Sequence, residues 1–176
     1  MQMLTSKRSM ALFMSLVLIL ALCATSSMAQ QKTKIAGKMT CAYTRMERVD
    51  AGDTEGHVLS LTEYEGTNVS AGEHEFMDGA QVINMGLSDL VKGNGTHYGY
   101  VEFAKKGDAV FAKWEGKVTT VLSAEGTPIM TFEGTFSYTK GTGQFENIQG
   151  SGSYKGKFIS KTIYTTDWEG GYFIEK

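Results

Sequence analysis

Between Val110 and Val118 the chain alternates with a strict period of two. Val110, Ala112, Trp114, Gly116 and Val118 fall on one face, and Phe111, Lys113, Glu115 and Lys117 on the other. The same period recurs before Tyr138, where Met130, Phe132, Gly134, Phe136 and Tyr138 oppose Thr131, Glu133, Thr135 and Ser137. Successive side chains of a strand point to opposite sides, so this pattern marks half-buried antiparallel strands. No segment after residue 30 carries sustained helical periodicity.

Turn chemistry punctuates these runs at hairpin spacing: Asn94-Gly95, Lys106-Gly107-Asp108, Glu125-Gly-Thr-Pro128 and Lys155-Gly156. The pattern predicts strands at about 34–45, 56–65, 80–87, 97–105, 109–122, 129–139, 150–155 and 157–167, with a short last piece near 172–175. Eight or so strands joined mostly by short hairpins suit a meander that closes on itself, because closure removes exposed edges. The expected fold is therefore all-β: a single eight-stranded antiparallel up-and-down β-barrel after an N-terminal signal peptide. Gly116 and Gly134, in the middle of strands, would let a tightly coiled sheet bend. The longest loop candidates, 66–79 and 88–96, are expected to rim the barrel mouth.

The first 29 residues read as the export signal, leaving a barrel domain of residues 30–176. Lys7 and Arg8 precede an apolar run from Ala11 to Ala24, too short for a bilayer span, and small side chains stand at Ser27 and Ala29. Cleavage before Gln30 predicts a periplasmic or extracellular protein with no membrane span. Lipidation at Cys23 is disfavoured by the large Leu22 before it. Once Cys23 is removed, Cys41 is the single thiol. It cannot form an intramolecular disulfide, and it shares a face with Ile35, Met39 and Tyr43, as a packed small hydrophobe would.

After removal of the signal, 15 Lys+Arg face 19 Asp+Glu, a mildly acidic balance that argues against a nucleic-acid binder. The histidines are His57, His74 and His97, too widely spaced for a helical or hairpin metal site, so neither a metal nor a cofactor is expected. Asn68-Val-Ser70 and Asn94-Gly-Thr96 match the glycosylation pattern, but behind a signal of bacterial appearance both read as turns.

Glycine is abundant, with 21 in the chain against one proline, and it concentrates in Gly141-Thr-Gly-Gln-Phe-Glu-Asn-Ile-Gln-Gly-Ser-Gly-Ser-Tyr-Lys-Gly156. A phosphate-binding loop would join a strand to a helix, whereas both flanks here are β. The segment, with Thr131-Phe-Glu-Gly-Thr-Phe-Ser-Tyr138 before it and Tyr154-Lys-Gly-Lys-Phe158 within and after it, resembles the late hairpin of the allene oxide cyclase and dirigent-type barrels, including bacterial exported members. The resemblance spans about residues 95–168. It implies a lipocalin-like eight-stranded barrel with an apolar cavity, and a homo-oligomer, a trimer in those families. The cyclases' proline-containing early segment has no counterpart, since Pro128 lies at a late turn, so the resemblance transfers no catalytic residue.

The interior set expected from alternation contains Met39, Tyr43, Leu59, Leu61, Trp114, Met130, Phe132, Phe136 and Phe158, with Glu63 in register with the leucines and His97 on the face of Val101 and Phe103. Tyr43, Leu61, Glu63, His97, Trp114, Phe132 and Phe136 are the candidate ligand-binding residues. Three functions fit this sequence. A non-enzymatic exported barrel that binds a small hydrophobic molecule, or an envelope module, leads. An isomerase or cyclase acting on a lipid-like substrate is the alternative, and a structural or interaction protein with a filled core is the third.

Overall fold

The computed structural model describes residues 32–176; the expected signal peptide, Cys23 and the cleavage site lie outside the described residues. The eight strands are β1 (Thr33–Asp50), β2 (His57–Ala71), β3 (Gln81–Val91), β4 (Asn94–Lys105), β5 (Asp108–Leu122), β6 (Pro128–Gly141), β7 (Ile148–Phe158) and β8 (Ile163–Ile174). Each pairs antiparallel with its sequence neighbours, and β8 returns to β1, closing an up-and-down barrel. One 3-10 turn, Gly143–Phe145, interrupts the pattern between β6 and β7.

Alternation sets which side chains enter the barrel. On β5 and β6 the inward residues are those that the period-two pattern selects, with Trp114 opposite Phe136 and Val118 opposite Phe132. Cys41 is 1% exposed on the inward face of β1, between Met39 and Tyr43.

Glycine plays a different part from the one its turn chemistry predicts. Lys155-Gly156 is not a turn: β7 runs through it to Phe158, and the reversal comes at 159–162. A side chain at Gly156 would stand 2.2 Å from the outer edge of the Phe132 ring, which occupies the space over that backbone. The same device recurs around the wall, with Trp168 on Gly37, Trp114 on Gly99, Tyr154 on Gly134 and Phe136 on Gly152, each a directly paired cross-strand couple. Gly116 and Gly134 therefore seat the Tyr154 hydroxyl as well as easing curvature. Large rings that lie along the wall leave the axis of the barrel unfilled.

The two ends differ. Segment 72–80 does not rim the mouth; it turns inward, and Phe76 and Met77 are 3% and 4% exposed. With Phe145 and Ile148 they close one end of the barrel. The driving force is apolar: Phe76 meets Tyr138, Phe145, Trp168 and Tyr172 at ring distances of 5.2–5.9 Å. Asn68 is a fully buried strand residue rather than a turn. Its amide donates to the Phe76 and Met77 carbonyls and accepts from Trp168 Nε1, which leaves it no room for a glycan. The other end stays open among segments 51–56, 92–93, 123–127 and 159–162. Of these, Lys92 and Gly93 both take positive φ, the signature of a two-residue hairpin turn. This turn precedes the expected Asn94-Gly95, because Asn94 already starts β4 and accepts a hydrogen bond from the Thr120 N–H.

Candidate functional site: an aromatic cavity open at one end

From the open end a cavity of about 680 Å³ runs down to a floor of Phe76, Phe103 and Trp168. That volume is ordinary for a small-molecule site. Five of the seven candidate residues line it: Tyr43, His97, Trp114, Phe132 and Phe136. Met39, Met130 and Phe158 do so too.

Leu61 and Glu63 do not. The inward face of β2 is Val58, Ser60, Thr62 and Tyr64, while Leu59 and Leu61 are each 42% exposed on the outer wall. Two leucines mark an interior face by hydrophobicity, but cross-strand partners fix the register. Tyr64 stands opposite Tyr43 and stacks on it with ring centroids 4.4 Å apart, and Thr62 Oγ1 donates to the Gly86 carbonyl. Glu63 stays outside, paired across the strand with Arg45. Placed inside, its carboxylate would need a partner to offset desolvation.

The middle of the cavity is an almost continuous girdle of rings. His97 meets Trp114 edge-on at 4.9 Å, Trp114 meets Tyr154, Tyr154 meets Phe132, and Phe132 meets Tyr164 and Phe158. Tyr164 then meets Tyr64 at 4.9 Å. Such rings present flat, weakly polar faces that favour a planar or unsaturated guest.

Polar atoms are few and mostly paired. Asn84 accepts from Trp114 Nε1 at 2.9 Å and donates to the Tyr164 hydroxyl at 2.7 Å, fixing both rings. Ser60 and Ser88 share a hydroxyl pair at 2.6 Å nearer the mouth. Thr166 is the exception. Its hydroxyl is fully buried on the cavity wall with no hydrogen-bond partner among the described residues. Buried polar atoms are ordinarily satisfied; at 0% exposure this hydroxyl is closed off within the wall and presents no surface to the lumen.

His97 and Tyr154 form a hydrogen-bonded titratable pair in the girdle, with Tyr154 Oη 3.0 Å from His97 Nε2. Burial pushes the His97 imidazole down to about 4, against an opposing hydrogen bond to the Glu133 backbone. The ring is therefore neutral at physiological pH. Burial raises the Tyr154 phenol, with the Glu115 charge adding to the effect, and desolvation likewise raises the Tyr43, Tyr64 and Tyr164 phenols and the Cys41 thiol. None of these groups exchanges a proton readily near neutrality. Among the described residues no group of three or more His, Cys, Asp or Glu side chains is arranged to hold a metal ion.

Sequence reasoning missed Asn84, Tyr154, Tyr164 and Thr166. The signal for two of them was present: Val82, Asn84 and Gly86 alternate, as do Gly152, Tyr154 and Gly156.

No protein-family model matches the chain, and no curated protein does. Among solved structures it is similar to a protein of unknown function from the DUF3224 family of Shewanella oneidensis MR-1, with a TM-score of 0.53 and 18% identity over 83% of this chain and 99% of that one. Two pterocarpan synthase dirigent proteins are more distant. Their TM-scores are 0.49 and 0.46, at 12% and 13% identity, over 84% and 83% of this chain and 92% and 97% of theirs. At such identities the likeness is one of fold.

Proposed function

We propose that this chain is an exported, non-enzymatic barrel that holds one small, largely apolar molecule in its lumen. The observation that carries this reading is the cavity itself. Five aromatic side chains reach into the space that paired glycines leave at the wall, and the interior stays open beside them. A filled-core structural role fits poorly with an opening of this size.

Isomerase or cyclase chemistry has less support. The carboxylate expected to enter the barrel, Glu63, lies outside it, and His97 and Tyr154 are both held neutral, away from the pKa range useful for proton transfer.

Self-association is a separate proposal that rests on the outer wall. Val49, Leu59, Leu61, Met85, Leu87 and Tyr98 are exposed on β1 to β4, with Val49 opposite Leu59, and Leu61 opposite Leu87, which is opposite Tyr98. A contiguous apolar face of this kind is what a second copy would cover. Light scattering on wild type and Leu61→Lys would test it: an oligomer dissociated by the substitution is expected, and a monomeric wild type would refute it.

The binding reading is tested by titration with phenylnaphthylamine, an uncharged aromatic dye. Saturable uptake is expected, abolished by Ser88→Trp at the mouth and unchanged by Leu61→Lys on the outer wall. Uptake that survives the blocked mouth would place the dye elsewhere and overturn the reading.

A further inference from the structure

Resting on that reading of the lumen, we infer that the preferred guest is an aromatic monoanion, with its ring system in the girdle and its anionic head at the mouth between Arg48 and Lys161. Among the described residues lining the cavity there is no Asp or Glu, and the two permanent charges are both cationic, Arg48 and Lys161. In an acidic protein that distribution is specific to one place.

Arg48 is there because of an irregularity in β1. The pairing with β2 shifts between Tyr43 and Arg45, leaving Thr44 as an extra residue. Below the shift the odd-numbered residues Met39, Cys41 and Tyr43 face inward; above it Met46 and Arg48 do. In an unbroken strand Arg45 and Glu47 would face the lumen instead, and Arg48 would point to solvent. A bulge re-aims side chains in this way, and here it replaces a carboxylate with a guanidinium at the entrance.

The charges on the two faces are also treated differently. On the outer face Arg45 is hydrogen-bonded to Glu47, and elsewhere outside the barrel Lys38 pairs with Asp167 and Lys155 with Glu133. Arg48 and Lys161 take part in no ion pair among the described residues. Asp50, next on the face of Arg48, accepts from the Gly52 N–H. The two cations stand on the same side of the mouth, since the Tyr43 N–H donates to the carbonyl of Thr162, the residue after Lys161, and Arg48 acts electrostatically on the Tyr43 phenol. A guest with rings among Tyr43, Phe158 and Phe132 would carry its head group up to this pair.

The test compares two dyes that share an aromatic frame and differ in charge: anilinonaphthalene sulfonate and uncharged phenylnaphthylamine. For wild type at low salt the anion is expected to bind about fivefold more tightly, the scale of two solvent-exposed ion pairs, with the advantage shrinking as salt screens it. The double variant Arg48→Gln, Lys161→Gln should lose that advantage and keep its affinity for the neutral dye. Equal affinities in wild type, or a preference that survives the double variant, would overturn the inference and leave the cavity reading intact. If neither dye binds, or if Ser88→Trp blocks neither, the cavity reading fails and takes this inference with it.

Discussion

Trp168 on the last strand and Asn68 on the second are joined by a buried hydrogen bond, indole Nε1 to amide Oδ1, at 2.9 Å. The same amide holds the carbonyls of Phe76 and Met77, so one side chain fastens the plug segment to the wall. Asn68→Ala strands a buried donor, Trp168 Nε1, and a buried acceptor, the Phe76 carbonyl, each costing about 1–3 kcal/mol, while the Met77 carbonyl keeps the Ala80 N–H. A loss of about 3 kcal/mol or more is expected in denaturant unfolding, with faster hydrogen exchange confined at first to residues 72–80. A loss below about 1 kcal/mol would mean that the plug is held by its rings alone.

The glycine–aromatic pairs give a prediction with an internal control. A Cβ at Gly99 would lie 2.5 Å from the Trp114 ring and 2.0 Å from the Met85 carbonyl oxygen, whereas at Gly107 nothing stands within 4 Å. Gly99→Ala should cost at least about 1–3 kcal/mol, as overpacking does. Gly107→Ala at φ +91° strains only the local backbone, by about 1 kcal/mol. Equal effects on melting temperature would show that the wall tolerates a methyl group and that the rings are not seated as described.

Trp114→Ala removes a ring that shapes the girdle and leaves the Asn84 carbonyl oxygen without its donor. The expected cost is about 3 kcal/mol, the low end for such a truncation because one face of the ring already borders the lumen. Trp114→Phe should restore most of the packing and none of the hydrogen bond. Urea unfolding of the two variants separates the contributions.

Two histidines should make stability depend on pH in opposite senses. His97 titrates at about 4 when folded against an ordinary 6.5, so the unfolded chain binds the extra proton between those values. Stability therefore falls as pH drops through that window, by about 3 kcal/mol in all. His57 lies between Asp53, 2.5 Å from Nδ1, and Asp89, 2.8 Å from Nε2, and these hydrogen bonds raise its pKa above 6.5. Its contribution is complete below the unfolded value and is lost as pH rises through the folded one. The partner Asp53 is lowered by the same hydrogen bond, so its share is lost as pH falls through its folded value. Melting temperatures of wild type, His97→Gln and His57→Asn between about pH 4 and pH 8 test this. His97→Gln should flatten the acid limb and His57→Asn the alkaline limb; unchanged limbs would contradict the assignments.

Much of the barrel was legible because alternation is a local property. The faces of β5 and β6 follow from Val110–Val118 and Met130–Tyr138 with no knowledge of their neighbours. What was not legible depends on partners distant in sequence. Gly156 has the local chemistry of a turn and becomes a wall position only because Phe132 rests on it. Leu61 is more hydrophobic than Thr62, yet Thr62 faces inward because the pairings with β1 and β3 fix the register. Arg48 could not be assigned to the lumen by counting, since the extra residue at Thr44 breaks the count. Phe76, in a segment rich in glycine and acids, gives no sign that it will close the floor.

A barrel stoppered by Phe76 at one end is a cup and not a conduit. Whatever occupies it enters and leaves by the same door, and a second molecule cannot push the first out from behind. Exchange of contents is then a matter of waiting for departure, so a chase with excess competitor should release a bound dye at a rate that does not rise with the amount of competitor. Such a vessel is suited to carrying or sequestering a molecule and ill suited to passing one through.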